Sequence, residues 1–328
     1  MSQRSGLRPF RFAVQSFHAE TGQSWQERAR RVESLGYEAL YLADHFLGPG
    51  PALEATHHPH QSLAAVPAIA AAALATSTLR VGCRVFCNDY RHPVLLAKEV
   101  ATLDLLSEGR VDFGIGAGWL EGEYQAAGLQ FDPAGERIER LAESIDLIKK
   151  VFSGERLAHH GKYYSAQDFE GSPRPVQQPA PPLMVGGGGR KILSLAAREA
   201  DIVSFNFNNR SGKIGPAGVQ SSTESATAMK VDWVRDAAGP RFDELELEIG
   251  AYFTFVTENP TPMIQGMAHA MNLSEDEIRE HPHGLFGDVE EIVETLLKRR
   301  ERFGISRITI GDDAFEAFAP VVQRLSGQ

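Results

Sequence analysis

Apolar positions along the chain switch back and forth between two spacings, and the switches predict strands and helices in alternation. Residues 10–17 alternate as a strand, and 25–35 repeat every three to four positions as a helix closed by Gly36. Residues 38–43 predict a second strand that ends in Asp44-His45-Phe46 and runs into a proline-rich loop, 47–61. A helix follows over 63–76. Residues 79–87 are rich in bulky and β-branched side chains and predict the third strand. Pro93 then opens a helix whose stripe is Leu95, Leu96, Val100, Leu103 and Leu106, with Gly109 beyond its end. Residues 111–116 predict strand four, which leads directly into Gly116-Ala117-Gly118-Trp119.

The rhythm continues after one excursion. A helix over 135–152 carries Ile138, Leu141, Ile145, Ile148 and Val151 on one face, and 156–165 reads as a hairpin turning at His160-Gly161-Lys162. Strand five over 183–185 meets a four-glycine run and a helix at 191–200, and 202–205 predict strand six. Residues 206–222 show no apolar period and predict a long mobile loop. A helix over 223–238, a strand over 245–256, short helices within 260–282, a charged helix over 288–303, a strand over 305–310 and a helix over 315–325 complete the pattern. Eight strand-helix alternations predict a single (β/α)8 TIM barrel over residues 1–328, with insertion loops at its C-terminal face; a doubly wound open sheet is the alternative.

Composition narrows the partners. A formal charge of −10, a pI near 5.6 and the lack of any Lys/Arg block argue against nucleic acid. The only two cysteines, Cys83 and Cys87, share one strand. A separation of four strand residues puts them about 13 Å apart, beyond disulfide reach, which fits a reduced cytoplasmic setting. Residues 1–9 have arginines without an apolar core behind them, and the apolar stretch 64–75 is too short to span a bilayer. A soluble cytoplasmic protein acting on a small molecule is expected.

In such a barrel chemistry belongs at the carboxyl ends of the strands. The run from Gly186 to Gly189 lies between a strand and a helix N-terminus and is followed by Arg190 and Lys191, an arrangement suited to a phosphate. Asp44-His45 reads as a proton-handling pair, with the carboxylate able to fix the imidazole tautomer, or else as loop and cap residues. His57, His58 and His60 lack metal-ligand spacing because Pro59 breaks any helical face, so a solvated loop is expected and no metal. Cys87 has no accompanying Cys-His signature and is expected to pack. Arg91-His92 and Lys98-Glu99 read as a capped, solvated helix face.

Taken together, several motifs resemble the luciferase-like monooxygenase superfamily, and within it the branch that uses the deazaflavin coenzyme F420. They are Asp44-His45 after strand two, Cys87-Asn88-Asp89-Tyr90-Arg91-His92-Pro93, the glycines around Ala117, the run from Gly186 to Gly189, and Phe303-Gly304-Ile305. The resemblance implies a (β/α)8 oxidoreductase passing hydride between F420 and an organic substrate, with FMN as the alternative cofactor of a monooxygenase and a non-catalytic flavin-binding barrel as a third reading. It implies a non-prolyl cis peptide near Arg84-Val85 beneath the cofactor ring. Asp44 and His45 would stand beside that ring as catalytic groups, with Arg84, Val85, Cys87 and Asn88 against it. Ala117 and Gly118 would contact it from strand four, and Gly186, Gly187 and Gly188 would hold the phosphate. The sugar-phosphate dehydrogenase branch has a glutamate where this chain has Trp119, which argues against such a substrate and leaves the proton donor unassigned, with His45 the best candidate. Relatives commonly form a homodimer through the early helices.

Overall fold

The structure, a computed structural model, describes residues 7–328. Eight strands form a closed parallel barrel: Arg11–Gln15, Ala39–Leu42, Arg80–Cys87, Val111–Gly116, Leu183–Gly187, Ile202–Phe205, Glu246–Ala251 and Arg307–Gly311. Each pairs with its neighbour in this order, and the first closes on the eighth from Arg11 opposite Arg307 to Gln15 opposite Gly311. The barrel expected from the alternation is therefore the architecture adopted, and the open sheet is excluded because no barrel strand retains a free edge.

Outward side chains of the strands, among them Val14, Leu42, Phe86, Ile115, Val185 and Leu247, join the helices in one continuous apolar core. The inside of the barrel differs. Its apolar part is a small cluster of Ala13, Ala39, Tyr41, Met184 and Ile202 with Val85 packed on it. Charged groups occupy the rest. Near the amino ends of the strands, Asp112 accepts hydrogen bonds from Tyr41 Oη (2.5 Å), Arg307 (2.5 Å) and Arg80 Nε (2.8 Å). Burial pushes the Asp112 carboxyl up, but the two guanidinium groups and Tyr41 outweigh it and hold it below its ordinary value. Alternation explains the placement, since Arg80 and Arg84 lie four residues apart on one strand and Glu246 and Glu248 lie two apart on another.

The third strand carries the irregularity that shapes the mouth. Its register with strand four shifts between Cys83 and Phe86, and the Arg84–Val85 peptide is cis, where the resemblance placed it. A bulge opposes two residues to one, so Arg84 and Val85 both turn inward while Phe86 returns to the outer core.

Four expectations are corrected. The strand predicted over 245–256 breaks at Tyr252: Glu246–Ala251 stays in the barrel, and Phe253–Val256 pairs in parallel with Gly284–Gly287 in a separate two-stranded sheet. The helix Glu121–Ala127 was not anticipated. The hairpin turns at 161–164, overlapping the predicted 160–162, but its second strand, Ser165–Phe169, runs beyond the predicted end at 165. Finally, the loop 206–222 is not free. It contains the helix Pro216–Gln220, Ile214 N–H donates to Thr56 O (3.1 Å), and Glu121 N–H donates to Gly212 O (3.1 Å). Loops 47–61 and 206–222 thereby clasp each other over the barrel. Among the described residues no helix is long and apolar enough to cross a membrane, and both cysteines are free and buried.

Candidate active site

Strand two ends in Asp44 and His45, whose side chains take separate partners because consecutive residues on extended backbone point apart. Asp44 accepts a two-pronged pair of hydrogen bonds from Arg91 (2.5 and 2.9 Å) and a third from the Cys87 N–H (3.0 Å). It therefore ties the end of strand two to the end of strand three. Arg91 is an internal strut here, not part of a solvated helix face, whereas His92 does cap the helix Pro93–Leu106 by accepting from Val94 N–H (3.3 Å).

His45 is held by Glu123. Its Nδ1 lies 2.8 Å from Glu123 Oε2, and the carboxylate has no exposed side-chain surface. Glu123 also accepts from Phe46 N–H (2.8 Å) and Tyr90 Oη (2.7 Å). Burial pushes the Glu123 carboxyl up, but the hydrogen bonds from His45, Phe46 and Tyr90 together hold it below its ordinary value. The carboxylate on His45 is thus Glu123 and not the adjacent Asp44. Glu123 stands on the unanticipated helix Glu121–Ala127; the available signal was two acids in a first turn, Glu121 and Glu123, ahead of Gly128, which ends the helix in the left-handed region.

Two aromatic groups complete this wall. The His58 ring lies 4.0 Å from that of His45, and Trp119 sits 5.9 Å from each. The solvated-loop expectation fails for His58, which packs between His45, Trp119 and Phe17. Burial, assisted by His45, pushes its pKa down to about 3. Its Nδ1 donates to Pro59 O (2.8 Å), which leaves Nε2 as an acceptor. Among the described residues no three His, Cys, Asp or Glu side chains converge as a metal site.

The floor is built by the third strand's bulge. Arg84 Nε donates to Glu248 Oε1 (2.8 Å), Nη1 to Tyr252 Oη (3.1 Å) and Nη2 to Asn206 Oδ1 (3.2 Å), while Gln15 Nε2 donates to Arg84 O (2.8 Å). Arg84 lies below the surface and braces the ends of strands one, three, six and seven. Val85 is the residue that faces the glycines: a Cβ on Gly116 would come within 2.8 Å of Val85 Cγ2, and one on Gly186 within 3.4 Å of Cγ1. Gly118, with φ +74°, has no room for a side chain beside Tyr124 Oη and Cys87 Sγ. Arg137 donates to both the Ala117 and Gly118 carbonyls and so fixes this turn. Cys87 packs as expected, with burial pushing its thiol up to about 12 against a hydrogen bond with Tyr124 (3.3 Å). Asn88 is buried, with Nδ2 donating to Tyr164 Oη (3.2 Å).

Across the mouth, the glycine run leads into the helix Arg190–Glu199, whose N-cap Gly189 offers no side-chain cap. The first-turn N–H groups are thereby left without a capping side chain, which suits an anion. Gly186 faces Asn206 and Val85, Gly187 faces Ile192 of the helix, and Gly188 lies against the Phe207 backbone. Lys191 does not serve this site: its Nζ reaches Glu139 Oε1 (2.9 Å) and Gly135 O (3.0 Å), leaving exposed Arg190 as the adjacent cation. Residues that sequence reasoning missed are Glu123, Arg137, Glu248 and Tyr252; Tyr90 entered only as part of the Cys87-to-Pro93 motif, without its role on Glu123.

Comparison with known proteins follows the same lines. The profile of the luciferase-like monooxygenase family matches residues 7–215. An F420-dependent glucose-6-phosphate dehydrogenase from Amycolatopsis mediterranei (strain U-32) is 33% identical over 176 residues, 53% of this chain and 50% of that protein. An FMNH(2)-dependent dimethylsulfone monooxygenase from Pseudomonas putida is 31% identical over 153 residues, 47% and 41% of the two chains. The chain thus spans about half the length of the curated relatives it matches. In fold, it superposes on the coenzyme F420-dependent tetrahydromethanopterin reductase from Methanopyrus kandleri with a TM-score of 0.76 at 17% identity, covering 97% of this chain and 98% of that one.

Proposed function

The chain belongs to the luciferase-like monooxygenase family, and from that premise we propose that it is an oxidoreductase passing hydride between coenzyme F420 and a small organic substrate. One observation carries the reading: a carboxylate-held imidazole, His45 on Glu123, shares the barrel mouth with a backbone cradle of glycines. Oxidation at a carbon bearing a hydroxyl releases a proton that must be taken up, and a positioned imidazole is suited to take it. His45 fills that role. Asp44, engaged by Arg91 and Cys87, is a positioning residue.

The residues fit a flat ring with a phosphate tail. The uncapped first turn at Arg190 and the backbone of Gly186, Gly187 and Gly188 suit the phosphate, while Val85 at the bulge, with Ala117 and Gly118, offers a floor of small side chains. When bound, the cofactor supplies the hydride-accepting carbon; the protein orients it, excludes water beneath loops 47–61 and 206–222, and handles the proton. Trp119 and His58 make the substrate wall aromatic, which favours an uncharged substrate over a sugar phosphate.

Support for F420 comes from the Cys87-to-Pro93 motif and from the F420-dependent relative. FMN is the second reading, supported by the FMNH(2)-dependent relative. Titrating purified protein with each cofactor, followed by reduced-F420 formation over a panel of alcohols, tests the choice. Tight FMN binding without F420 binding would sink the first reading. We place the protein in the reducing cytoplasm, in keeping with its two free cysteines. A homodimer through the early helices is supported by Leu74, Leu95 and Leu105, exposed on Ala65–Ala75 and Pro93–Leu106; light scattering that reads a monomer would refute it.

A further inference from the structure

We infer that Glu123 is the positioning residue that sets His45 as a proton acceptor, by holding its Nδ1–H and so leaving Nε2 bare on the opposite side of the ring. The inference rests on the reading that His45 meets the substrate. It begins from an asymmetry in how the carboxylate is used. Glu123 Oε1 takes the backbone N–H groups of Phe46 (2.8 Å) and Leu47 (3.4 Å), which anchor the chain just past His45. Oε2 takes His45 Nδ1 (2.8 Å) and Tyr90 Oη (2.7 Å). A carboxylate only accepts, so the hydrogen between it and the imidazole belongs to Nδ1. One oxygen positions the backbone and the other selects the tautomer.

Three further observations fit this role. Glu123 is fully buried, so water does not compete for Nδ1. When His45 takes a proton at Nε2, the resulting imidazolium stands against the buried Glu123 carboxylate. The titratable groups around the pair are His58, Tyr90 and Glu123 itself, with Cys87 and Tyr124 behind Tyr90. Burial pushes the Tyr90, Tyr124 and Cys87 groups up, so they stay uncharged near neutrality, and His58 is held neutral.

Glu123→Gln is the informative change because it inverts one atom. If amide Oε1 keeps the Phe46 and Leu47 N–H groups, the amide nitrogen replaces Oε2 and presents a donor to His45 Nδ1. The imidazole must then accept at Nδ1 and carry its hydrogen on Nε2, so the proton acceptor becomes a donor. Long-range nitrogen–proton NMR on histidine-labelled, cofactor-free protein reads this directly, with His45 assigned by its loss in His45→Asn. Wild type should show protonated Nδ1 and bare Nε2, Glu123→Gln the reverse, and Tyr90→Phe the wild-type pattern. In the loaded enzyme, Glu123→Gln should lower kcat/KM on the order of a thousandfold through kcat, with cofactor affinity retained. Wild-type His45 with its hydrogen on Nε2 overturns the inference even if the variant fails to fold. So does a Glu123→Gln protein that keeps the Nδ1–H tautomer. The expected tautomers together with no turnover of either cofactor would support Glu123 as positioning residue and refute only the functional reading.

Discussion

Two glycines with nearly the same backbone angle separate conformational strain from crowding at the site. Gly118, after strand four, has φ +74°, and Gly128, ending the helix Glu121–Ala127, has φ +68°. An alanine at either position pays for the left-handed conformation, about 1 kcal/mol. At Gly128 that is the whole effect, because nothing lies within 4 Å of the added carbon. At Gly118 the carbon collides with Tyr124 Oη and lies 2.8 Å from Cys87 Sγ. Neither neighbour yields easily: they are buried, bonded to each other (3.3 Å), and Tyr124 donates to Asp89 (3.0 Å). Overpacking of this kind adds about 1–3 kcal/mol. Gly128→Ala should therefore lose about 1 kcal/mol and Gly118→Ala about 2–4 kcal/mol in parallel thermal and urea melts. Cofactor titration adds the functional arm, in which Gly128→Ala binds as wild type and Gly118→Ala binds more weakly. Equal melting of the two variants, or unchanged affinity in Gly118→Ala, would show that the turn at 117–118 is not the tight cradle described.

Glu248→Leu should destabilise by about 3–5 kcal/mol, because it leaves the Arg84 guanidinium buried without its carboxylate, while Arg84→Met combined with Glu248→Leu should recover most of that loss; additive losses in a urea double-mutant cycle would refute the pairing. Lys230 is buried with Nζ donating to Asn206 O (2.8 Å) and Ser222 Oγ (2.6 Å), and burial pushes its pKa from 10.5 down to about 7. Between those values the unfolded chain holds a proton that the folded one lacks, so the Lys230 contribution to stability rises from about pH 7 toward about pH 10.5, at up to about 1.4 kcal/mol per pH unit. Lys230→Met should flatten that slope in melts across the range, and an unchanged slope would locate the titration elsewhere.

Much of the barrel is legible in the chain because the signals are local. The spacing of Leu96, Val100 and Leu103 specifies a helix face, and Gly36 and Gly109 close helices by accepting positive φ. The strand-end positions of Asp44-His45, Gly116 to Trp119 and Gly186 to Gly189 follow from the same alternation, so the mouth was locatable before any contact was known. Strand seven ends sooner than its apolar pattern predicts because alternation continues through Tyr252 while the pairing partner changes from the barrel to Gly284–Gly287.

What the sequence by itself determined is the order of elements, the barrel class and the ring of residues at its carboxyl end, since hydrophobic period and backbone propensity act within a few residues. Only the tertiary structure decided the partners. His45 is paired with Glu123, 78 residues away, and not with the neighbouring Asp44; Arg84 finds Glu248 across the barrel; His58 turns in from its loop to pack against His45. The physical reason is that a buried charge or imidazole must satisfy its hydrogen bonds with whatever the closed barrel brings within about 3 Å, and strand register, not separation along the chain, sets that distance.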